Sequence, residues 1–159
     1  MEYQSSMKSP LGTLILKSDG QSITEVSFSE KDVQDTNSCS VLENCQVQLE
    51  NYFSGKTTSF ELPLHPEGTE FQQKVWSELL NIPYGETITY LELAIKLGDP
   101  KAVRAVGTAN GRNHIAIIIP CHRVIGTGNK LIGYAGGIWR KKRLLELEIK
   151  YNPSKHTLF

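Results

Sequence analysis

The sequence predicts an α+β protein, in which a small N-terminal α/β domain is followed by a mainly helical C-terminal domain. Two observations support this prediction. Short β-forming runs around a turn signal lie within the first 30 residues, whereas capping boxes introduce successive helices after residue 67. A stretch with two prolines and a glycine at 63–68 separates the two patterns, so we place the domains at residues 1–66, which include the linker, and 67–159.

The N-terminal domain starts with two β-forming runs, 11–17 and 23–28, on either side of a turn that contains Asp19 and Gly20. Two such runs around an Asp-Gly turn are the sequence signal of a β-hairpin. The polar stretch 30–40 predicts a loop after the hairpin.

Apolar residues recur at intervals of three and four from 41 to 53, which predicts an amphipathic helix ended by Gly55. Cys45 falls on the apolar face of that helix, where a thiol is usually a small buried hydrophobic group. Residues 57–62 predict one further strand. The apolar face of the helix consists of Leu42, Cys45, Leu49, Tyr52 and Phe53.

The C-terminal domain begins with a capping box, in which Thr69 is followed three residues later by Gln72. The spacing predicts a helix that ends before Pro83. Its predicted inward residues are Phe71, Val75, Trp76, Leu79 and Leu80.

Two short helices in close succession then predict a helix-turn-helix. The first starts at a capping box formed by Thr89 and Glu92. Asp99 caps the second, which has Pro100 at its first position and continues through about Ala109. The apolar face of the first helix consists of Leu91, Ala94, Ile95 and Leu97.

The second of these helices carries a polar face and is thin. Lys101, Arg104 and Thr108 share the polar face. The helix is kept thin by its small residues Ala102, Ala105, Gly107 and Ala109. A thin helix with cationic side chains can approach a groove of nucleic acid closely.

An apolar run from 117 to 125 predicts a buried strand, yet it contains a thiol, an imidazole and a guanidinium side by side. Pro120 cannot donate to a sheet ladder, so we expect the strand to end near Ile119 and to present Cys121 at the edge of a cavity. In a regular strand Cys121 and His122 would point to opposite faces. For His122 to act on the thiol, either the backbone turns at this point or a water molecule bridges the two groups.

A glycine-rich stretch from 126 to 137 follows and contains Tyr134, which suits a flexible lid over a pocket. The last helix is predicted to start near Ile138, with Glu148 on its apolar face. A carboxylate on an apolar face needs a partner, and His122 can supply it.

These residues match the pattern of an activated thiol, with Cys121 as nucleophile, His122 as proton acceptor and Glu148 as the group that orients the imidazole. The alternative is a buried cysteine beside an unrelated histidine and an exposed glutamate. Spacing alone leaves both interpretations open.

The composition limits the possible functions of such a thiol. Three cysteines in a chain without an export signal indicate reduced thiols and a cytoplasmic location, and no cysteine has a metal-ligand spacing to a histidine. No apolar run approaches the roughly 18 residues that a membrane span needs. We therefore expect no cofactor, no metal and no membrane partner.

Charge is distributed unevenly along the chain. Residues 1–100 contain 6 Lys and Arg against 15 Asp and Glu, whereas residues 101–159 contain 11 against 2. A basic segment joined to an acidic one indicates that the basic segment faces a polyanion, of which nucleic acid is the commonest.

The motif Pro-Cys-His-Arg-Val at 120–124 is one of several blocks that occur in a fixed order. The others are Tyr-Gly-Glu-Thr-Ile-Thr-Tyr at 84–90, Lys-Ala-Val-Arg-Ala-Val-Gly at 101–107, Asn113, Gly-Tyr-Ala-Gly-Gly at 133–137, and Leu144, Leu145 and Glu148. Together these blocks, from about Phe71 to Glu148, resemble the O6-alkylguanine-DNA alkyltransferases. The resemblance implies a ribonuclease-H-like fold for the N-terminal domain.

The resemblance also implies a function. The protein would bind double-stranded DNA in the minor groove, extrude an O6-alkylguanine base, and transfer the alkyl group irreversibly to Cys121. O4-alkylthymine is a second candidate substrate. Each molecule would react once and would act as a monomer, with cooperative binding along DNA left open.

Residue roles follow from the same resemblance. Arg104 would fill the space left by the base, and Tyr90 would rotate the phosphate and later hydrogen-bond the leaving guanine. Asn113 would hold the turn near the thiol, and His122 would act through a water molecule. The resemblance extends the DNA contacts to Lys101, Ala105 and Thr108, and it places the base pocket at Tyr134, Ala135, Gly136, Ile119 and Pro120.

The chain departs from the family pattern in places. Ala116 stands where some relatives have proline and Ala135 where some have serine, so the sequence does not define the tolerance of bulky alkyl groups. The Cys and His zinc set that some relatives have near the N-terminus is absent from the sequence.

Two other classes of protein would use part of these features. A cysteine hydrolase would use Cys121, His122 and an acidic partner, but it would turn over repeatedly and would not need Arg104. A DNA-binding regulator would use the helix-turn-helix and would not need a thiol in a pocket. The amount of product formed per protein molecule discriminates among the three classes.

Overall fold

The computed structural model describes residues 2–31 and 37–152. These residues form two compact units. The first contains the described residues up to Glu67 together with His114–Ile118, and the second contains Gly68–Asn113 together with the described residues from Ile119 onward. The division into domains 1–66 and 67–159 stays a prediction, and residues 32–36 of the predicted loop lie outside the described residues.

A three-stranded antiparallel sheet forms the centre of the first unit, with its strands in sequence order. The strands are β1 (Tyr3–Ser9), β2 (Gly12–Ser18) and β3 (Ile23–Ser29). Every second residue in the latter part of β2 is buried, and Asp19 accepts two backbone hydrogen bonds in the turn to β3. The predicted hairpin is confirmed. The sequence pattern does not predict β1, because its serine-rich sequence lacks regular apolar alternation.

Helix α1 (Ser40–Phe53) is present where the apolar spacing predicts it. The strand predicted at 57–62 is wrong, because both backbone groups of Glu61 are bound by the side chain of Gln48. Nε2 of Gln48 donates to the carbonyl at 3.0 Å, and the N–H of Glu61 donates to Oε1 at 2.8 Å. These backbone groups are therefore not available to a sheet. The buried face of α1 consists of Leu42, Cys45, Leu49, Tyr52 and Phe53.

Residues 114–118 add a single parallel pairing to β3. The chain then turns at Ile117, whose φ is 71°, and the N–H of Ile118 donates to the carbonyl of Ala116 at 2.8 Å. This three-residue turn contradicts the buried strand predicted to run from Ile117 to near Ile119. In the apolar run 117–125 only the last two residues form a strand. A β-branched residue at positive φ is strained, so the surrounding packing must hold it in place.

Within the described part of the chain, the second unit consists of four α-helices, short 3-10 turns and one short pair of parallel strands. The capping boxes predicted at Thr69 and Thr89 are both formed. Helices α3 (Tyr90–Lys96) and α4 (Val103–Gly111) pack against each other as the predicted helix-turn-helix, and a 3-10 turn capped by Asp99 connects them. The elements are α2 (Glu70–Leu79), β4 (Ile88–Thr89), α3 (Tyr90–Lys96), α4 (Val103–Gly111), β5 (Val124–Ile125) and α5 (Ile138–Lys150).

Four apolar residues predicted to face inward are exposed instead. In α3 the buried residues are Leu93 and Ala94, and Leu91 and Ile95 lie one turn apart on the opposite face. In α2 the buried residues are Val75, Trp76 and Leu79, so the buried strip excludes Phe71 in the first turn and Leu80, which follows the last helical residue. The four exposed residues are Phe71, Leu80, Leu91 and Ile95, with 40% to 54% of their area accessible.

The predicted α+β class is confirmed by this arrangement of elements. None of the helices in the described ranges is long and apolar enough to cross a membrane.

Candidate active site

Cys121 lies at the start of a single 3-10 turn, Cys121–Arg123, that follows Pro120. The N–H of Cys121 donates to the carbonyl of Ile119 at 2.8 Å, and the N–H of Arg123 donates to the carbonyl of Pro120 at 3.0 Å. The backbone therefore turns between the thiol and the imidazole, which is one of the two predicted arrangements. Cys121 is only 6% exposed, so its immediate neighbours determine its reactivity.

The side-chain amide of Asn113 binds both the turn and the thiol. Its Nδ2 donates to the carbonyl of Ile119 at 2.9 Å and to Sγ of Cys121 at 3.2 Å. A donor at this place favours the thiolate over the thiol, because it stabilises negative charge on the sulfur atom.

A buried carboxylate, that of Glu148, serves two neighbours. Its Oε2 lies 2.7 Å from Nε2 of His122, and the guanidinium of Arg123 donates to both carboxylate oxygens, at 2.9 and 3.0 Å. The N–H of Gly85 donates to Oε1 at 3.2 Å, and Arg123 also donates to the carbonyl of Ile82 at 2.7 Å. These bonds offset the cost of burying the charges, so the network can keep Glu148 ionised.

This network fixes the protonation of His122. Burial alone would raise the pKa of the Glu148 carboxyl, but His122 and Arg123 outweigh it and hold that pKa well below its usual range. Burial lowers the pKa of His122 below its ordinary value of 6.5, against the opposing effect of Glu148. Because the carboxylate only accepts, the proton of the neutral imidazole is on Nε2. Nδ1 is buried without a hydrogen-bond partner in the described part of the chain, so its lone pair is available to a proton.

The thiol of Cys121 needs such a base. Burial raises its pKa above the ordinary value of 9.0, while the hydrogen bond from Asn113 and the charge of Lys141 oppose that rise. The thiol is therefore protonated near neutral pH. It becomes a strong nucleophile only when its proton is removed.

Lys141 is a fully buried lysine beside this site. Its Nζ donates to the carbonyl of Ile132 at 2.8 Å and lies 3.5 Å from the hydroxyl of Tyr90. The hydroxyl of Tyr90 donates to the same carbonyl at 3.0 Å. These contacts fasten the middle of the glycine-rich stretch to α3 and α5. Burial lowers the pKa of Lys141 to about 8, and the thiol of Cys121 partly offsets this effect.

The residues predicted for a base pocket differ in their exposure. Ile119 and Pro120 are buried, Gly136 is half-buried and Ala135 is exposed. The hydroxyl of Tyr134 is buried and has no hydrogen-bond partner within the described ranges, and burial raises its pKa well above 10.0. A buried polar group without a partner is uncommon and suits a place where a ligand binds.

Apart from Tyr90, which is the first residue of α3, the residues predicted to contact DNA lie on α4 and on the 3-10 turn before it. Arg104 is exposed, and the hydroxyl of Thr108 donates to its backbone carbonyl at 3.1 Å. The exposed set consists of Lys101, Arg104, Ala105 and Thr108.

The structure thus brings together part of the predicted set and separates the rest. Cys121, His122 and Glu148 are buried and form one cluster with the half-buried Asn113. Tyr90 borders it, close enough for the thiol to influence its pKa, which burial raises. The predicted DNA contacts on α4 form a separate exposed face. Among the described residues, no group of three or more His, Cys, Asp or Glu side chains is placed to hold a metal ion.

Sequence reasoning assigned no role to three buried polar residues, Asn110, Arg123 and Lys141. Arg123 lies within the apolar run 117–125, which is a signal that its charge is buried and needs a partner. Lys141 lies seven residues before Glu148, so the helical spacing that places Glu148 inward places Lys141 there too. Asn110 carries no such signal, because the predicted helix continues only through about Ala109, whereas α4 extends to Gly111.

A helix-turn-helix beside a buried thiol, with a hydrogen-bonded imidazole next to it, defines a class of DNA-acting proteins with a reactive cysteine. Two family models match this chain. The ribonuclease-like domain of 6-O-methylguanine DNA methyltransferase matches residues 3–66, and the DNA binding domain of the same family matches residues 70–150. The chain belongs to the 6-O-methylguanine DNA methyltransferase family.

Individual proteins are similar over nine tenths of the chain or more. A Mycobacterium bovis protein named methylated-DNA--protein-cysteine methyltransferase is 46% identical over 164 residues, covering 100% of this chain and 99% of its own. A Methanosarcina acetivorans protein of the same name is 49% identical over 152 residues, covering 92% and 97%. The crystal structure of Mycobacterium tuberculosis OGT in complex with DNA has a TM-score of 0.85 at 46% identity, covering 94% of each chain. The predicted family and fold class are confirmed.

Proposed function

We propose that this protein repairs alkylated DNA by moving the alkyl group from O6 of guanine to Sγ of Cys121, once per molecule. The observation that carries the proposal is the pairing of a hydrogen-bond donor on Sγ, from Asn113, with the open Nδ1 of His122 in one buried site. Both features serve a thiol that must become a thiolate away from solvent. The name of the similar proteins, methylated-DNA--protein-cysteine methyltransferase, describes the same reaction.

The reaction begins with a proton transfer. The proton of the Cys121 thiol passes through a water molecule to Nδ1 of His122, while Glu148 keeps the other proton of the imidazole on Nε2. The thiolate then attacks the alkyl carbon. A sulfur–carbon bond forms as the bond between that carbon and O6 breaks, and the electron pair of the broken bond stays on guanine. The proton returns to the guanine, and the Tyr90 hydroxyl hydrogen-bonds the leaving base.

The exposed face of α4 supplies the binding to DNA in this proposal. Lys101, Ala105 and Thr108 contact the minor groove, and Arg104 fills the space of the extruded base. Extrusion is needed because the reacting carbon is out of reach inside a stacked duplex. The similar M. tuberculosis protein in complex with DNA supports the choice of DNA as partner. The extruded base occupies a pocket bordered by Tyr134, Ala135, Gly136, Ile119 and Pro120.

In this proposal each protein molecule accepts one alkyl group and needs no cofactor. A thioether is stable, so the alkyl group stays on Cys121. We propose that the protein acts as a monomer in the cytoplasm. The cysteines in the described ranges form no disulfide, which fits a reducing compartment. O4-alkylthymine stays a second candidate substrate.

Replacement of the acceptor tests the proposal. Cys121→Ser should abolish alkyl transfer while leaving DNA binding within a few fold, because a hydroxyl is similar in size but much harder to deprotonate. Cys39→Ser is the matched control, since this half-buried thiol lies in the first unit, and it should transfer normally. Alkyl transfer by the Cys121→Ser variant would refute the assignment. Product in excess of protein would indicate a hydrolase instead.

A further inference from the structure

Asn110 is a buried polar residue in the last turn of α4, with only 1% of its surface accessible. Its Nδ2 donates to the backbone carbonyl of Cys121 at 3.3 Å. A hydrogen bond from the same side chain opposes the rise that burial causes in the pKa of Tyr90. The amide of Asn110 therefore lies between the backbone of the acceptor cysteine and the hydroxyl of Tyr90.

The orientation of this amide follows from its partner. The carbonyl of Cys121 can only accept, so the nitrogen of the amide must face it and the oxygen must face elsewhere. That oxygen, Oδ1, is buried and has no hydrogen-bond partner among the residues that the structure describes. A buried acceptor without a partner destabilises the protein. The free energy lost in this way exceeds the free energy that one ordinary hydrogen bond contributes. Such a group is satisfied when a ligand brings a donor to it.

The chemistry of the alkylated base limits which donor this can be. Guanine alkylated at O6 has lost the hydrogen on N1, so its pairing edge retains one donor, the exocyclic 2-amino group. The same amino group is the donor that distinguishes guanine in the minor groove. Tyr90 and Cys121, the two neighbours of Asn110, are the residues that contact the base in the function proposed above.

We propose that Asn110 is a specificity-determining residue, whose Oδ1 accepts a hydrogen bond from the 2-amino group of the extruded O6-alkylguanine. This inference rests on the proposed function. It predicts that the protein discriminates against alkylated bases without a donor at that position. O6-methylhypoxanthine differs from O6-methylguanine only in lacking the 2-amino group, and it leaves Oδ1 unpaired. O4-methylthymine also lacks a donor on its pairing edge.

The test compares two substrates in each of two proteins, the wild type and a variant of Asn110. Single-turnover rates of methyl transfer to Cys121 are measured on two duplexes that are identical except for O6-methylguanine or O6-methylhypoxanthine. The wild-type protein should react about tenfold or more faster with O6-methylguanine, which is the factor expected when a buried acceptor loses its donor. In Asn110→Leu, which has a side chain of similar size and no acceptor, the ratio of the two rates should fall close to one.

The ratio of rates is internal to each protein, so a partly inactive preparation does not distort it. Asn110→Ala also lacks the acceptor and provides the same ratio if the leucine variant does not fold. A ratio that stays the same in the variants as in the wild type would overturn the role of Asn110. If the wild-type protein transferred no methyl group from either duplex, the proposed function itself would be refuted. This result differs from an unchanged ratio, which refutes only the role of Asn110.

Discussion

Nδ2 of Asn113 lies 3.2 Å from Sγ of Cys121, and the same nitrogen donates to the carbonyl of Ile119 at 2.9 Å. One amide thus positions the sulfur atom and stabilises negative charge on it. Burial is the main cause that raises the pKa of this thiol, and the hydrogen bond from Asn113 is the largest opposing effect. The reactivity of Cys121 therefore depends on a neighbour that takes no part in bond making.

Replacement of Asn113 by leucine should raise the pKa of the Cys121 thiol further. A hydrogen bond to a charged group contributes about 1.5–3 kcal/mol, so the rate of thiol alkylation near neutral pH should fall about tenfold or more. The measurement is the reaction with iodoacetamide as a function of pH, which needs no DNA. A pH profile identical to that of the wild type would show that Asn113 holds the backbone only.

Glu148 links the site to stability. Its carboxyl has a pKa held below the ordinary value of 4.5, so the stability that it contributes is present above pH 4.5 and is lost as the pH falls toward its folded-state pKa. Glu148→Gln leaves Arg123 buried without its counter-charge and should cost about 3–5 kcal/mol near neutral pH.

Urea unfolding at stepwise lower pH checks this expectation. The difference in free energy of unfolding between wild type and Glu148→Gln should be largest near neutral pH and should narrow as the pH falls below 4.5, because the wild-type carboxyl also becomes neutral. If this difference in free energy of unfolding did not depend on pH, the negative charge of Glu148 would not be the source of the stability.

Lys141 should support the thiolate only while it is charged. Its pKa is lowered to about 8 by burial, so Lys141→Met should slow thiol alkylation below that pH, and the difference from the wild type should shrink above it. Lys142→Met is the matched control, because Lys142 is the next residue of α5 and is exposed. Equal effects of the two substitutions would contradict a specific role of Lys141.

Arg104→Ala should slow repair of duplex DNA much more than reaction with an O6-alkylguanine free base, by about tenfold or more. The reason is that Arg104 stabilises the extruded state and takes no part in the chemistry. Arg112→Ala removes a second exposed arginine, just after α4, and should affect both substrates little. Equal losses on the two substrates would exclude the role proposed for Arg104.

The sequence predicts some of these features better than others, for physical reasons. Capping boxes are local, so the starts of α2 and α3 at Thr69 and Thr89 could be read directly. The strand predicted through Ile117 fails because an apolar run does not reveal a residue held at positive φ by its surroundings. Likewise, the side chain of Gln48 removes a predicted strand through a contact 13 residues away, which no local pattern shows.

The candidate site shows the same limit. The spacing of α5 places Glu148 on the inner face, and a motif places a thiol beside an imidazole. The bidentate pairing of Arg123 with that carboxylate, and the burial of Lys141 and Asn110, depend on packing between distant segments. Lys141 lies within a run of four basic residues, 140–143, and such a run is typical of a solvated helix surface. Its burial therefore becomes evident only when the packing of α5 is known.

The measurement that tests the central claim most directly is the intact mass of the protein after reaction with excess DNA that contains O6-methylguanine. We expect a gain of one methylene per molecule, confined to the peptide that contains Cys121, and no further product after one equivalent. The added group should also destabilise the packed site, by about 1–3 kcal/mol, and lower Tm. Product formed beyond one equivalent, with Cys121 recovered unmodified, would contradict the account.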